Sequence, residues 1–216
     1  MNLTLLAACA DDLSVVNAAR VSFNQEAGEL SEKDTGLIGF LMRERHGSPF
    51  EHGYFRFLVE APIFVAREHM RHRIGHSYNE WSGRYSKIDT VGFKPTWIRK
   101  QIGKPGAYSY EDVDLDTRDV ALLSLDHLYN NAFETYEYML EKGVAKEVAR
   151  MVLPVGTMTK YFWSCNPRSL MHFLSLRNHE SAQYEIQTVA HMAENYLAQH
   201  MPVTYDAFID NGRQAP

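Results

Sequence analysis

The sequence predicts an α+β protein in which helices are segregated around a small mixed sheet. Alternating apolar residues, as at Phe55, Phe57 and Val59, are typical of a half-buried strand. Longer stretches, such as 117–141, carry apolar residues at three- and four-residue steps and favour amphipathic helices. No repeat or linker interrupts the 216 residues, so we expect a single domain over 1–216.

The first half of the chain alternates expected strands and helices. Residues 2–8 are mostly apolar and predict a strand, and residues 12–22 predict a helix capped by Asp11 or Asp12. A second amphipathic helix begins after Ser31, and the Gly-Ser-Pro sequence at 47–49 breaks it. The following elements are a strand at 54–60, a helix at 63–71 that starts after Pro62, and a polar loop at 75–83.

The second half is mostly helical. Residues 94–99 predict a strand, and 117–141 predict the longest helix, which Gly143 ends. The remaining expected elements are a short helix at 144–153, a strand at 157–163, and helices at 168–177 and 182–199.

Composition excludes several classes of protein. Apolar residues make up 45% and charged residues 23%, which are values of an ordinary globular protein. The net charge of -5 gives no global basic field toward nucleic acid, and no apolar run is long enough for a membrane helix. Two cysteines, Cys9 and Cys165, cannot form a disulfide framework, so we expect a cytoplasmic protein in which both pack as small apolar residues.

Positive charge is concentrated in one stretch. From Arg43 to Arg84 the chain holds seven Arg, no Lys and five of the ten His. Arg is the side chain that grips phosphate or carboxylate in a bidentate fashion. This favours an anion-binding site, although a solvated surface also accommodates such a stretch.

Residues 71–85 are rich in side chains that can bind a ligand or take part in catalysis: Arg-His-Arg-Ile-Gly-His-Ser-Tyr-Asn-Glu-Trp-Ser-Gly-Arg-Tyr. A plain solvated loop explains the polarity of this segment but leaves the absence of Lys and the presence of two glycines unexplained. Ser82, Gly83 and Arg84 are suited to cradle a phosphate, because glycine permits close backbone approach. The segment therefore predicts ligand binding.

The same segment resembles the signature of the flavin-dependent thymidylate synthases: an Arg-His-Arg triplet, a spacer, then Ser and Arg-Tyr. Further blocks resemble the family in the family's order. They are 19–23 (Ala-Arg-Val-Ser-Phe), 48–52 (Ser-Pro-Phe-Glu-His), 61–67 (Ala-Pro-Ile-Phe-Val-Ala-Arg), 148–154 (Val-Ala-Arg-Met-Val-Leu-Pro) and 166–170 (Asn-Pro-Arg-Ser-Leu). The resemblance covers most of the chain.

The resemblance implies an α+β flavin-dependent thymidylate synthase fold, and an enzyme that makes dTMP from dUMP. The carbon comes from 5,10-methylenetetrahydrofolate, and the hydride comes from NADPH through FAD. It also implies a homotetramer whose sites combine residues of several subunits. Nucleic acid, a membrane and a bound metal are not expected partners.

The resemblance also implies which positions of this chain contact the flavin or the folate. The positions are Ser22, His46, Ser48, Glu51, Arg71, His72, Arg73, Ile74, Asn79, Glu80, Asn166, Arg168, His172 and Leu176.

Contacts to dUMP carry over in the same way. They are Glu68, Arg71, Glu80, Ser82, Gly83, Arg84, Arg150 and Arg177. Among them Arg150 would come from another subunit, and Arg177 would be catalytic by polarising the uracil at N3. Taken alone, Arg150 and Arg177 also suit helix ends, and His172 also suits a packing role.

The chain departs from the family pattern at three places. Eight residues separate Arg73 from Ser82 where seven are common, and the extra one falls near Gly75 and His76, so we expect a bulged loop. Glu68 replaces a familiar Gln, which predicts pairing with Arg71 or contact with the ribose. Ser181 stands where His is often found, with His179 two residues before it.

Two other functions fit parts of the sequence. His69 and His72, at i and i+3, have a spacing that can seat zinc or iron in a metal hydrolase, although no His-Glu-x-x-His motif accompanies them. The Arg-rich stretch also suits a nucleic-acid-binding module, although such modules usually carry more Lys.

Overall fold

The structure is a computed structural model that describes all 216 residues. Its strands are β1 (Asn2–Cys9), β2 (Tyr54–Pro62), β3 (His76–Glu80), β4 (Arg99–Lys104), β5 (Ala107–Asp112) and β6 (Met158–Cys165). Its α-helices are α1 (Asp12–Arg20), α2 (Glu32–Arg43), α3 (Ile63–His69), α4 (Leu115–Glu141), α5 (Lys146–Ala149), α6 (Pro167–Arg177), α7 (Tyr184–His200) and α8 (Pro202–Asp210). The predicted α+β class is confirmed, and no helix has the length and apolar character needed to cross a membrane.

Two compact units make up the chain. Unit 1 comprises 1–60, 67–80 and 160–216, and unit 2 comprises 61–66 and 81–159. The expectation of a single domain stays a prediction.

Unit 1 is built on a sheet with strand order β1-β2-β6-β3. The outer pairs, β1 with β2 and β3 with β6, are antiparallel, and a register shift interrupts the first pair between Leu5 and Ala7. In the second pair Tyr78 lies opposite Trp163, so both side chains share one face of the sheet.

Aromatic residues of this sheet make the core that holds α6. The Trp163 ring lies 4.9 Å from Phe57 and 5.2 Å from Phe173 of α6, and all three side chains are fully buried. Asn166 caps α6 by accepting a hydrogen bond from the Ser169 amide at 2.8 Å. The sheet and this cap therefore fix the start of α6, from which several site residues project.

Unit 2 contains the 27-residue helix α4 and the β4–β5 hairpin. Asp114 caps α4 through the Thr117 amide at 2.8 Å. The Tyr129 hydroxyl donates to the Phe93 carbonyl at 2.9 Å, and the Tyr136 hydroxyl accepts from the Ile88 amide at 3.0 Å. These bonds attach the segment that follows residue 81 to α4.

Several sequence-based expectations about elements were wrong. The polar loop at 75–83 contains β3, the strand at 94–99 is replaced by β4 and β5, and α8 was not predicted. Pro202 takes the first helical position of α8, where a missing amide hydrogen costs nothing. Cys9 is exposed rather than buried, because it ends β1 at the edge of the sheet.

Candidate active site

A cavity of about 720 Å³ lies in unit 1 beside the Arg-His-Arg triplet. Its lining residues are Glu51, Arg71, His72, Arg73, Ile74, Gly75, His76, Asn166, Arg168, Ser169 and His172. The volume suits a small-molecule site. Eight of the fourteen predicted flavin or folate positions are among these residues.

A tight turn after α3 presents the triplet. The His72 amide donates to the His69 carbonyl at 3.0 Å, and Gly75 adopts a φ of +72°. A side chain at Gly75 would begin 2.0 Å from the Ser169 hydroxyl, which donates to the Ile74 carbonyl at 2.9 Å. The turn thus needs glycine, and Ile74 is left 92% exposed at the cavity.

The chain reverses at Gly75, and β3 then pairs with β6 in continuous register from His76 onward. The expectation that the extra residue makes the loop bulge near Gly75 and His76 stays a prediction. Gly75 and His76 both line the cavity, although neither was among the predicted contacts. The reversal at Gly75 therefore supplies two further lining residues.

Arg168 is fixed from three sides. Its Nη1 donates to Glu51 at 2.5 Å, and its Nε donates to the Pro216 carbonyl at 2.7 Å. A side chain at Gly47 would begin 2.4 Å from the guanidinium carbon. Sequence reasoning found Arg168 and Glu51 but missed Gly47 and Pro216, whose roles depend only on contacts between distant residues.

The cavity has a surplus of positive charge. Three lining arginines face one lining glutamate, which leaves two formal positive charges. Burial lowers the pKa of His72 and of His76 to about 4, and it also lowers the pKa of His172. Because these histidines are neutral at pH 7, the excess charge belongs to the arginines and suits a pyrophosphate or phosphate group.

Arg177, in the last turn of α6, is held by two residues of the α3 region. Its Nη1 donates to Glu68 at 2.5 Å, and its Nε donates to His72 Nε2 at 2.9 Å. The expectation that Glu68 pairs with Arg71 is wrong, because the carboxylate is engaged by Arg177. Since His72 also lines the cavity, one side chain touches both the cavity and Arg177.

A second constellation lies in unit 2, where Ser82, Gly83 and Arg84 form a turn. The Tyr85 amide donates to the Ser82 carbonyl at 3.1 Å, and Arg84 pairs with Glu147 at 3.0 Å. A side chain at Gly83 would begin 3.2 Å from Arg150 Cδ. The expectation that Arg150 reaches this turn from another subunit is therefore wrong: the two lie together in one chain.

Six predicted cofactor positions do not line the cavity: Ser22, His46, Ser48, Asn79, Glu80 and Leu176. Asn79 and Glu80 are neighbours on the edge strand β3, so their side chains point to opposite faces. Leu176 is 60% exposed on α6. His179 and Ser181, at the third departure from the family pattern, contact each other through His179 Nδ1 and the Ser181 hydroxyl at 2.8 Å.

His69 and Cys165, the residues considered for metal binding and for thiol chemistry, are both buried. Buried His69 contacts the Tyr161 hydroxyl through Nδ1 at 2.8 Å and stacks on Phe173, and no group of three metal-ligating side chains occurs. Cys165 is buried, as expected, and burial raises the pKa of its thiol well above the usual value. A thiolate at Cys165 is thereby disfavoured.

Comparison with known proteins gives one consistent result. The sequence profile of the Thy1 family, described as thymidylate synthase complementing protein, matches residues 4–203. A flavin-dependent thymidylate synthase of Streptomyces coelicolor is 46% identical over 98% of this chain and 92% of its own length. One from Thermotoga neapolitana is 45% identical over 92% of this chain and 86% of its own length.

Solved structures agree with these sequence relatives. The crystal structure of the UMP/dUMP methylase PolB from Streptomyces cacaoi, bound with 5-Br UMP, has a TM-score of 0.92 and 43% identity. The similarity covers 100% of this chain and 96% of that one. A second structure of the same methylase, bound with 5-Br dUMP, matches equally well.

Proposed function

The chain belongs to the flavin-dependent thymidylate synthase family, and from that premise we propose that it methylates dUMP to dTMP with FAD, 5,10-methylenetetrahydrofolate and NADPH. The observation that carries the proposal is the arginine-rich cavity at the 71–73 triplet, which His72 joins to Arg177. A cavity of this charge suits a phosphorylated cofactor, and Arg177 offers a guanidinium beside it.

The residues present fit FAD. Arg71, Arg73 and Arg168 supply the charge that a pyrophosphate needs, and exposed Ile74 supplies an apolar contact for a flat ring. Bound FAD would supply hydride transfer, for which no amino-acid side chain is equipped. We assign His72, Asn166 and His172 to the same site because they line the same cavity.

The dUMP phosphate is assigned to the turn of unit 2. Ser82, Arg84 and Arg150 supply a hydroxyl and two guanidinium groups, and the missing side chain of buried Gly83 lets Ile88 and Arg150 pack closely beside this turn. Arg84 has its charge offset by Glu147 in an ion pair that is more than half exposed, so a phosphate can compete for it.

Arg177 is assigned to the uracil. A guanidinium remains protonated at all physiological pH, so it stabilises negative charge that develops on the pyrimidine at N3 and O4. Such activation needs no cysteine nucleophile, which agrees with the raised pKa of the buried Cys165 thiol. The protein thereby contributes orientation, charge stabilisation and exclusion of water.

The remaining predicted contacts fit an assembly of several chains. Ser22, His46, Ser48, Asn79, Glu80 and Leu176 lie outside the cavity, and we propose that they complete sites shared within a homotetramer. Large apolar side chains next to the predicted positions are uncovered in a single chain. Val21, Phe23, Tyr85 and Met151 are each at least 70% exposed. A second copy that covers them would remove this apolar surface from water.

The proposal is tested by product formation. Protein stripped of flavin is mixed with FAD, dUMP, NADPH and methylenetetrahydrofolate carrying a ¹³C-labelled methylene group, and nucleotides are separated by mass. We expect labelled dTMP that disappears when any one component is omitted. UMP is assayed in parallel, since the structural relative is named for both nucleotides. If the complete mixture yields no labelled nucleotide, the proposal is wrong.

A further inference from the structure

The guanidinium of Arg177 is oriented by two contacts from one short segment. Glu68 lies near the end of α3 and His72 lies in the turn that follows, and both face the last turn of α6. Nη1 donates to the Glu68 carboxylate and Nε donates to the His72 ring. Two bonds from different nitrogens of a planar group fix its plane, and they leave the two Nη2 hydrogens for another acceptor.

The contact to His72 determines the form of its ring. An arginine Nε always carries hydrogen, so His72 Nε2 must accept and cannot itself carry a proton. The ring is then neutral with its hydrogen on Nδ1. Burial, followed by the charge of Arg177, lowers the pKa of His72 in agreement with this form. The other groups that face the ring are His76, His172 and Phe173.

Glu68 supplies the countercharge at the same place. Its side chain is 22% exposed and that of Arg177 is 25% exposed, so water screens this pair less than a surface pair. Burial raises the pKa of Glu68, Arg177 opposes that rise, and nearby Glu185 adds to it. A glutamine here would keep a hydrogen-bond acceptor but would leave the half-buried guanidinium without a countercharge.

We infer that Glu68 is a positioning residue that acts through Arg177, and that His72 couples the orientation of Arg177 to the flavin cavity. This inference rests on the proposed function for the role of Arg177. It replaces the expectation that Glu68 contacts the nucleotide directly. A ligand in the cavity that His72 lines would then change the orientation of the Arg177 guanidinium, which is assigned to the uracil.

The kinetic test separates positioning from nucleotide contact. Glu68→Gln is compared with Asp119→Asn, which removes an exposed ion pair with Arg118 on α4. We expect Glu68→Gln to lower kcat about tenfold while the dissociation constant for dUMP changes less than about threefold. In an Arg177→Lys background, Glu68→Gln should lower kcat less than about twofold, because the effects of two coupled residues are not additive. A dUMP affinity that falls about tenfold, or an equal cost in both backgrounds, would overturn the inference.

A second readout requires no turnover. Histidine-labelled protein without flavin is examined by ¹⁵N NMR, and the His72 signal is assigned by its loss in His72→Asn. We expect Nδ1 protonated and Nε2 unprotonated at neutral pH, and Arg177→Gln should shift the ring toward the other tautomer and raise its pKa. A His72 signal that Arg177→Gln leaves unchanged would overturn the coupling. If the NMR result holds but no dTMP forms, the proposed function fails while the contact stands.

Discussion

The two arginine sites of the molecule differ in how much of their geometry is fixed within their own unit. In unit 1, Arg168 and Arg177 are each held by a carboxylate and a second acceptor. In unit 2, Arg84 makes an exposed ion pair, and Arg150 packs against Gly83 through its aliphatic part. The cavity in unit 1 is therefore preorganised, whereas the turn in unit 2 presents charges that a ligand can recruit.

The largest effect is expected at Arg177. Lysine keeps the positive charge but cannot donate from two coplanar nitrogens to both Glu68 and His72. Arg177→Lys should lower turnover of bound dUMP by about 10²- to 10³-fold, as loss of a charge-stabilising donor does. FAD binding should persist. Single-turnover measurement checks this, and unimpaired turnover with reduced stability would make Arg177 a structural helix end.

At the turn of unit 2 the effect should fall on binding. Loss of one charged partner at a desolvated anion costs on the order of 2–5 kcal/mol. Arg84→Ala should therefore weaken dUMP binding by roughly thirtyfold or more, with little change in the free energy of unfolding.

The matched control is Glu147→Gln, which removes the exposed partner of Arg84 but keeps the guanidinium. It should leave dUMP affinity undiminished, because an exposed pair contributes little. Equal affinities of wild type and Arg84→Ala in a dUMP titration would remove Arg84 from the site.

Mixed assemblies sharpen the comparison between the two sites. Arg84 and Arg150 belong to one cluster of one chain, so mixing an Arg84→Ala chain with an Arg150→Ala chain should give no rescue. If sites combine unit 2 of one chain with unit 1 of another, mixing Arg84→Ala with Arg177→Lys should restore activity to about a quarter of the sites. Rescue in the first mixture would contradict the shared cluster. No rescue in confirmed hybrids of the second would contradict sharing between subunits.

The preorganised region also predicts a dependence of stability on pH. His72 and His76 have pKa values of about 4 in the folded chain, against a usual value of 6.5. The unfolded chain binds more protons between these values, so their stabilising contribution is complete above pH 6.5 and is lost as pH falls toward 4. Urea unfolding at several pH values should show this loss, and His76→Asn should reduce the slope. The same slope in both proteins would contradict the assignment.

The smallest effect on activity is expected from the cysteines. Cys9→Ser with Cys165→Ser should retain dTMP synthesis, because the proposed chemistry uses no thiol. Stability should fall by about 1–3 kcal/mol from the buried hydroxyl at residue 165 if it is unpaired, and hardly at all from exposed residue 9. A folded, flavin-loaded double variant that makes no dTMP would show that a thiol is essential.

The sequence predicted the elements with strong apolar periodicity and missed those without it. The core strands around Phe57 and Trp163 were found because alternation reports burial on one face. Strand β3 was interpreted as a loop, because its half-buried face is formed by His76 and Tyr78 rather than by aliphatic residues. Pairing with β6 makes this polar segment a strand, and such pairing cannot be read from local sequence.

The candidate site shows the same division. The resemblance identified Arg168 and Arg177, but the acceptors that orient them lie far away in the chain. Glu51 and Pro216 bind Arg168, and Glu68 and His72 bind Arg177. A local sequence pattern specifies which side chains are present, whereas the fold determines which acceptor each arginine binds.

Titration of the flavin-free protein with FAD tests the central claim most directly, namely that the preorganised cavity at 71–76 binds the flavin. Arg73→Ala removes one lining guanidinium and leaves the contacts of Arg168 and Arg177 intact. We predict saturable binding with a shifted visible flavin spectrum, and at least about tenfold weaker binding in Arg73→Ala. Failure of the wild-type protein to bind FAD, or equal affinity in both proteins, would contradict the account.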